Sequence, residues 1–219
     1  MKEFQILAHR GHHNCDLNQK NSIKSLLTSI RKGFSVETDI RDFNGQIYIS
    51  HDPVTSPELT LEDFFKDINS LDLQKIKLAL NIKSDGLSEM AYQLINKYLS
   101  KFSNNIYFFD GSVPETLSYF KYELSIYTRC SEYEIQPLFK DMNSGYWIDN
   151  FTGAFDQVTA AHKIIDVEPD ADCVIVSPEL HRRPKDYLWN SLRTSQLFDN
   201  QSCFLCTDYP DEAILFFNK

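Results

Sequence analysis

The sequence has no apolar run approaching the roughly 20 residues that a membrane span requires, so we expect no stable membrane insertion. Strand-like sequence begins within about four residues of the start, which leaves no room for a signal peptide and predicts a cytoplasmic protein. Basic residues are also few: 22 Lys and Arg stand against 31 Asp and Glu, giving a formal net charge of −9. Because this charge repels a polyphosphate backbone, we expect no nucleic-acid partner, although a local pocket for one phosphate group stays possible.

Cysteine is scarce, and its five residues cannot all pair with one another. Cys130 and Cys173 lie in apolar runs, which predicts buried free thiols in a reducing compartment. Cys203 and Cys206 form a C-x-x-C pair within a strand-like run, where this odd spacing sends the two thiols to opposite faces. We therefore expect neither a redox site nor a zinc site at this pair.

Strand-like and helical segments alternate along the chain without a linker, low-complexity tract or repeat. "FQILAHR" predicts a strand, and "NSIKSLLTSIRKG" predicts a helix with Asn21 as its N-cap and Gly33 as its stop. About eight strand units separated by helices predict a parallel sheet, and eight such units that close make a (β/α)₈ barrel. We expect residues 1–219 to form a single α/β TIM-barrel domain, slightly short for the class. An open doubly wound sheet is the alternative.

Polar side chains stand where the predicted strands end, and TIM barrels gather their functional residues at the carboxyl ends of strands. Glu37 and Asp39 lie two positions apart, so both carboxylates project from one face, roughly 7 Å apart along the strand. Like charges this close repel unless something cationic lies between them. A hard divalent cation is one answer, and a salt-bridge network is the other, with Arg10, Arg41 and Lys83.

Asn81 and Lys83 repeat this spacing on the next main strand. Asn81 offers a neutral oxygen to a cation, while Lys83 either holds a phosphate oxygen or simply neutralises the carboxylates. His9 and His51 follow two other strands, and an unperturbed imidazole pKa of about 6.5 allows proton exchange near neutral pH. A hydrogen-bonded structural role is the alternative for a single histidine, but two of them beside Arg10 indicate an acid and a base around an anionic group.

His12 and His13 belong to the same basic stretch, "HRGHH", and follow Gly11 into a loop. We expect them at the rim of the site. A zinc cluster of both with His9 is conceivable, but no cysteine or further histidine lies near enough in sequence to support it. The stretch is better interpreted as part of a phosphate site.

The order "HRG", then "ETD", then "SHD" resembles the glycerophosphodiester phosphodiesterase family, as do the longer stretches "GFSVETDIR" and "ISHDP" and the closing "TDYPDE". The match is dense over residues 6–53 and thin afterwards. The resemblance implies a (β/α)₈ barrel and a phosphodiester hydrolase that uses one divalent cation, Mg²⁺ or Ca²⁺. It also implies roles for six residues: acid–base catalysis for His9 and His51, phosphate binding for Arg10 and Lys83, and metal binding for Glu37 and Asp39.

Three departures from the family pattern are visible. Asn81 stands where the family commonly has a third metal-binding glutamate, which removes one negative charge from the expected metal set of Glu37, Asp39 and Asn81. Gln19-Lys20-Asn21 replaces the family's Pro-Glu-Asn before the first helix. Only the 29 residues from 52 to 80 separate His51 from Asn81, too few for the large inserted cap of many members.

The later strand ends carry further polar and aromatic residues, which we interpret as substrate-side candidates: Arg129, Trp147, Asp149, Glu179 and His181. The last two follow the seventh strand unit, a region where barrels often bind phosphate. Trp147 and the adjacent Tyr146 have the rings to stack on a sugar or glycerol moiety, although aromatic residues in strand-like runs are usually core.

We therefore expect a small phosphodiester substrate, such as a glycerophosphodiester or a glycerol-phosphate-linked saccharide. Two alternatives stand beside this hydrolase. One is a phospholipase-like enzyme that forms a cyclic phosphate, and the other is a degenerate barrel that binds phosphate or sugar without turnover. The sequence has no coiled-coil heptads and does not predict an oligomeric state.

Overall fold

The computed structural model describes residues 4–14, 16–56, 59–139 and 141–218, which form nine strands and seven α-helices. The strands are β1 (Gln5–His9), β2 (Ser35–Phe43), β3 (Gln46–Ile49), β4 (Leu78–Ile82), β5 (Ile106–Phe109), β6 (Ser125–Cys130), β7 (Gly145–Ile148), β8 (Asp172–Val176) and β9 (Cys203–Thr207). The helices are α1 (Ile23–Arg31), α2 (Leu61–Ile68), α3 (Ser88–Tyr98), α4 (Val113–Lys121), α5 (Gln157–Val167), α6 (Asp186–Thr194) and α7 (Pro210–Phe217).

The fold is an α/β TIM barrel, which confirms the predicted class. Eight strands pair in parallel, and β3 is the antiparallel hairpin partner of β2. The turn between β2 and β3 uses Asn44 and Gly45, both with positive φ, as a two-residue hairpin turn requires. Between β3 and β4 the described residues contain one short helix, α2, and no inserted cap. No helix in the described part of the chain is long and apolar enough to cross a membrane.

Two compact units make up the chain: a central unit of residues 9–126, and a terminal unit of residues 1–8 with 127–219. In the central unit, β2 lies between β3 and β4, and β4 pairs in turn with β5. Asp39 of β2 is the direct register partner of Asn81 on β4. Partnered residues of adjacent strands project their side chains to the same face, so these two polar side chains are neighbours.

The core of the central unit is built from strand residues and from one face of each helix. In α2, the fully buried residues Leu61, Phe64, Phe65 and Ile68 fall at the spacing of one helical face. Thr60 begins this helix, since its hydroxyl accepts the backbone N–H of Asp63 at 3.0 Å. Burying each of these side chains contributes about 1.5–3 kcal/mol, which fixes α2 on the sheet.

The start of α1 differs from the sequence prediction. Ser22, not Asn21, is the N-cap, and its hydroxyl accepts the backbone N–H of Ser25 at 3.2 Å. Asn21 instead has a left-handed φ of 60° and turns its side chain toward β2. Gly33 follows the C-cap with a φ of 85°, which confirms the predicted helix stop.

In the terminal unit the strand order is β1, β9, β8, β7, followed by the end of β6. The expected helix between β6 and β7 is absent from described residues 131–139 and 141–144. Pro137 lies in this connection, and Phe139 has a φ of 57°, so neither continues a helix. The cysteines described in this unit are buried, and burial raises the pKa of the Cys203 thiol to about 12, which keeps it protonated.

Gly11 is the backbone position most sensitive to an added side chain. It has a φ of 83°, and a Cβ at this position lies 2.6 Å from Ser25 Oγ and 2.7 Å from the Ser25 backbone carbon. We predict that Gly11→Ala lowers the free energy of unfolding by roughly 2–4 kcal/mol, because strain and overlap add. Gly33→Ala is the matched control, since its φ is 85° with no atom within 4 Å, and about 1 kcal/mol is expected there. Equal losses in urea unfolding would contradict this packing.

Candidate active site

The end of β1 bends sharply and directs two donors of Arg10 at the carboxylates of β2. Arg10 and Gly11 have successive positive φ values of 54° and 83°. The backbone N–H of Arg10 donates to Glu37 Oε2 at 3.0 Å, and its guanidinium Nε lies 2.8 Å from Asp39 Oδ2. The glycine is needed because the chain returns close to α1 at this point.

The two carboxylates are buried, with Glu37 1% and Asp39 0% exposed. Asp39 is held by three groups: Arg10, the amide nitrogen of Asn21 at 2.8 Å from Oδ2, and Lys83 Nζ at 3.4 Å from Oδ1. The ion pairs expected of Arg10 and Lys83 are therefore present.

Glu37 has the most perturbed environment of the site. Burial raises the pKa of its carboxyl well above the usual range, and the charge of Asp39 raises it further, while Arg10 and Lys83 act in the opposite direction. Nε2 of His9 lies 3.9 Å from Glu37 Oε2. The site therefore favours any additional positive charge placed beside the two carboxylates.

Two oxygen atoms of this site lack the partners that buried acceptors normally have. Asp39 Oδ1 and Asn81 Oδ1 are buried and accept no hydrogen bond from any residue that the structure describes. Lys83 is close enough to Asp39 Oδ1 for an ion pair but is not aligned for a hydrogen bond. Adjacent unpaired acceptors are costly unless a donor or a cation lies between them.

The oxygen donors of Glu37, Asp39 and Asn81 fit a hard divalent cation such as Mg²⁺ or Ca²⁺. The donor set is nevertheless modest: within the described ranges, no three His, Cys, Asp or Glu side chains group as metal ligands do. Arg10 and Lys83 already offset much of the negative charge, which weakens attraction for a cation.

His51 is placed differently from the other predicted residues. It follows β3 in a bend, its side chain is 46% exposed, and its Nδ1 lies 2.9 Å from Asp52 Oδ1. Among the described residues, its imidazole contacts none of the carboxylates of β2. Arg41 reaches this loop instead of the carboxylates, with its guanidinium donating to the His51 carbonyl at 3.4 Å.

The expectation that His12 and His13 lie at the rim is wrong, because they are only 6% and 3% exposed. Nε2 of His12 lies 3.0 Å from Lys32 Nζ, and its ring stacks on Phe34 at 6.2 Å between centroids. The tight turn at Gly11 carries both imidazoles into the interior.

Asn21 is a residue of this candidate site that we did not predict. Its Oδ1 accepts the Thr38 hydroxyl at 2.8 Å while its Nδ2 donates to Asp39, and its backbone N–H donates to the Arg10 carbonyl at 2.9 Å. The Asn21 side chain thus fixes the orientation of the Asp39 carboxylate through Oδ2 of Asp39. It donates no hydrogen bond to the other carboxylate oxygen, Oδ1 of Asp39. The available signal was its place in Gln19-Lys20-Asn21, where it keeps the asparagine of the family's Pro-Glu-Asn.

In the terminal unit, the structure brings together three of the substrate-side candidates. Asp149 accepts from the guanidinium of Arg129 and lies 2.7 Å from Nε2 of His181. Burial by itself raises the pKa of the Asp149 carboxyl, but the His181 hydrogen bond and the Arg129 charge outweigh it and lower the pKa below its usual value. The carboxylate is therefore ionised throughout the neutral pH range.

The remaining candidates, Glu179 and Trp147, do not join this cluster. Glu179 accepts from the hydroxyls of Ser177 and Thr207 and from the backbone N–H of Asp208 at 3.2 Å, so it braces the ends of β8 and β9. Trp147 is 4% exposed within β7. Tyr146 donates its hydroxyl to Glu168 at 2.8 Å, which commits it to the protein rather than to a ligand.

We predict that Asn21→Asp destabilises the protein by roughly 2–4 kcal/mol at pH 7, because it sets a second carboxylate against Asp39. The neighbouring negative charge raises the pKa of the new carboxyl at position 21 in the folded state, so the folded variant takes up a proton more readily and the loss shrinks as pH falls toward 5. Asn44→Asp is the matched control, since Asn44 is exposed and also has a positive φ, of 46°. Urea unfolding at several pH values distinguishes them, and a pH-independent loss at Asn21 contradicts the contact.

Comparison with known proteins identifies the fold. No family model and no curated protein sequence matches this chain. Solved structures do match: a glycerophosphodiester phosphodiesterase from Parabacteroides distasonis superposes with a TM-score of 0.72 at 14% identity, covering 100% of this chain and 98% of that one. A protein assigned as a glycerophosphoryl diester phosphodiesterase from Silicibacter pomeroyi gives a TM-score of 0.66 at 11% identity, with coverages of 100% and 94%.

The similarity spans essentially the whole of each chain. The superposition therefore extends over the complete TIM barrel, and the Parabacteroides distasonis structure leaves no segment of this chain unmatched. At this level of identity the likeness concerns the fold. The chain has the fold of the glycerophosphodiester phosphodiesterases.

Proposed function

We propose that the protein is a metal-dependent phosphodiester hydrolase acting on a glycerophosphodiester or a glycerol-phosphate-linked saccharide. The observation that carries this proposal is the convergence, within the central unit, of two cationic side chains and one imidazole on a pair of buried carboxylates. The likeness of fold to two proteins described as glycerophosphodiester phosphodiesterases supports the same reaction class.

Arg10 and Lys83 are the phosphate-binding residues of this proposal. Their side chains are 21% and 20% exposed, so each combines a buried partner, Asp39, with access to a ligand. Arg10 uses Nε toward Asp39, and its terminal nitrogens make no hydrogen bond to described residues. A guanidinium held in this way presents a planar pair of donors to two phosphate oxygens.

Glu37, Asp39 and Asn81 are the residues that would hold the divalent cation, for which their hard oxygen donors favour Mg²⁺ or Ca²⁺. When bound, such a cation offsets the negative charge that develops on phosphate oxygens. Asn21 acts as a positioning residue, because its hydrogen bond orients the Asp39 carboxylate.

His9 and His51 are the proposed acid and base. The oxygen of a water molecule, or of a neighbouring substrate hydroxyl, forms a bond to phosphorus while the bond from phosphorus to the leaving alcohol breaks. One imidazole takes the proton of the attacking oxygen and the other protonates the leaving oxygen. His51 is oriented for this by Asp52, and His9 by its position beside Glu37.

A second candidate is a barrel that binds phosphate or sugar without turnover. This candidate is favoured by Asn81, which stands in place of a third carboxylate, and by the side chains of Arg10 and Lys83, which already pair with Asp39. Phosphorus NMR separates the candidates: with a chelator-stripped protein and a glycerophosphodiester panel, added Mg²⁺ or Ca²⁺ yields a monoester if the proposal is right. A cyclic ester indicates intramolecular attack, and ligand-induced stabilisation without product indicates the binding barrel.

We predict that His9→Gln and His51→Gln each lower metal-dependent turnover by about 10²- to 10⁴-fold, because each removes one proton-transfer group. His162→Gln is the control, since this half-buried histidine of α5 lies in the terminal unit. Steady-state kinetics on folded variants make the comparison. Wild-type turnover by either active-site variant would rule out the acid–base assignment.

We predict that Asn81→Asp tightens Ca²⁺ or Mg²⁺ binding by about tenfold or more, because affinity at oxygen sites rises with the number of carboxylate ligands. The metal-free variant should also lose stability, since the new charge adjoins Asp39. Titration calorimetry measures the affinity, with Asn69→Asp at the end of α2 as the control. Unchanged affinity for Asn81→Asp means that position 81 does not face the cation.

A further inference from the structure

Three neighbouring strands of the terminal unit deliver a separate cluster of polar side chains. Arg129 lies near the end of β6, Asp149 directly follows β7, and His181 closes the 3-10 turn Pro178–His181 after β8. Asp149 receives donors from both of the others and from the backbone N–H of Asn150 at 2.8 Å. This carboxylate is saturated, and its side chain is only 5% exposed.

Asp149 determines which nitrogen of His181 is available to a ligand. Nε2 points at the ionised carboxylate and therefore carries the proton, which leaves Nδ1 as the acceptor of the neutral ring. The side chain is 25% exposed, and Nδ1 makes no hydrogen bond to any described residue. His181 thus presents one oriented polar atom that the protein itself does not use.

Aromatic rings stand beside this histidine. The Phe151 ring centroid lies 5.1 Å from that of His181, and Tyr133 lies 6.0 Å from Phe151 on the other side. Phe151 is 39% exposed and Tyr133 is 72% exposed, so part of each ring is accessible to a ligand. Glu132 holds this loop by accepting the backbone N–H of Phe151 at 3.2 Å and that of Thr152 at 2.6 Å.

The charges of the cluster pair with one another. The Arg129 guanidinium pairs with Asp149, lies 3.5 Å from Glu134 through Nε, and stacks 5.0 Å from the Phe151 ring centroid. Of the two arginines that follow His181, Arg183 donates to the Asn150 carbonyl and Arg182 is exposed. An oriented imidazole acceptor beside aromatic faces matches a neutral ligand that has hydroxyl groups on one side and C–H groups on another.

We propose that His181, Phe151 and Tyr133 form a binding site for a polyol, either a sugar or a glycerol-like group. A ligand hydroxyl donates to Nδ1 of His181, and the C–H face of the ligand packs on Phe151 and Tyr133. Asp149 and Arg129 act as positioning residues.

The binding test uses the whole protein and three probes: glycerol, myo-inositol and glucose. Imidazole NMR resonances are followed during titration up to about 100 mM, a range suited to weak single-site binding. We expect the resonance assigned to His181 to shift with at least one probe, and the His162 resonance to stay fixed. No saturable shift of His181 with any probe overturns the proposal.

Three variants refine this test. His181→Phe removes the acceptor but keeps a ring, and Tyr133→Ala changes a side chain too exposed to be needed for folding. We expect each to weaken binding by about 3- to 10-fold, the range for one hydrogen bond or one exposed aromatic contact. Tyr187→Ala is the matched control, since Tyr187 is 86% exposed on α6. Equal effects of Tyr133→Ala and Tyr187→Ala contradict a site at Tyr133.

Discussion

The central unit depends on keeping two carboxylates of one strand buried side by side. Glu37 and Asp39 are almost inaccessible to solvent, and two unscreened like charges in such a place cost several kcal/mol. The bend at Arg10 and Gly11, the left-handed Asn21 and the lysine that follows β4 all bring donors to this pair. The left-handed backbone at Arg10, Gly11 and Asn21 therefore serves one electrostatic requirement.

Much of this arrangement could be predicted from the sequence, because it follows from short-range rules. Strand–helix alternation predicts the barrel class, and the i, i+2 spacing places Glu37 and Asp39 on one face of β2. The ion pairs of Arg10 and Lys83 with Asp39 were among the alternatives that this spacing allowed. Strand ends are informative in this fold because the chain leaves each strand at a place where polar groups are useful.

The features that the sequence did not predict share a different cause: tertiary contacts and local backbone geometry determine them. Asn21 has the sequence context of an N-cap, yet the neighbouring Ser22 is the N-cap and the Asn21 side chain donates a hydrogen bond to Asp39. His12 and His13 look like loop residues, but the tight turn at Gly11 buries them. The missing helix after β6 depends on the φ of Phe139, a property that no periodicity reveals.

The division of the chain has a consequence for its synthesis. The central unit is one continuous segment, residues 9–126, whereas the terminal unit joins the first strand to the last. A ribosome therefore finishes the carboxylate-bearing half long before β9 emerges, and domains generally fold as units in the order in which they are made. The two units therefore differ in when their strands are able to pair: β2, β4 and β5 are all made before residue 110, whereas β1 has no β9 to pair with until the chain is nearly complete.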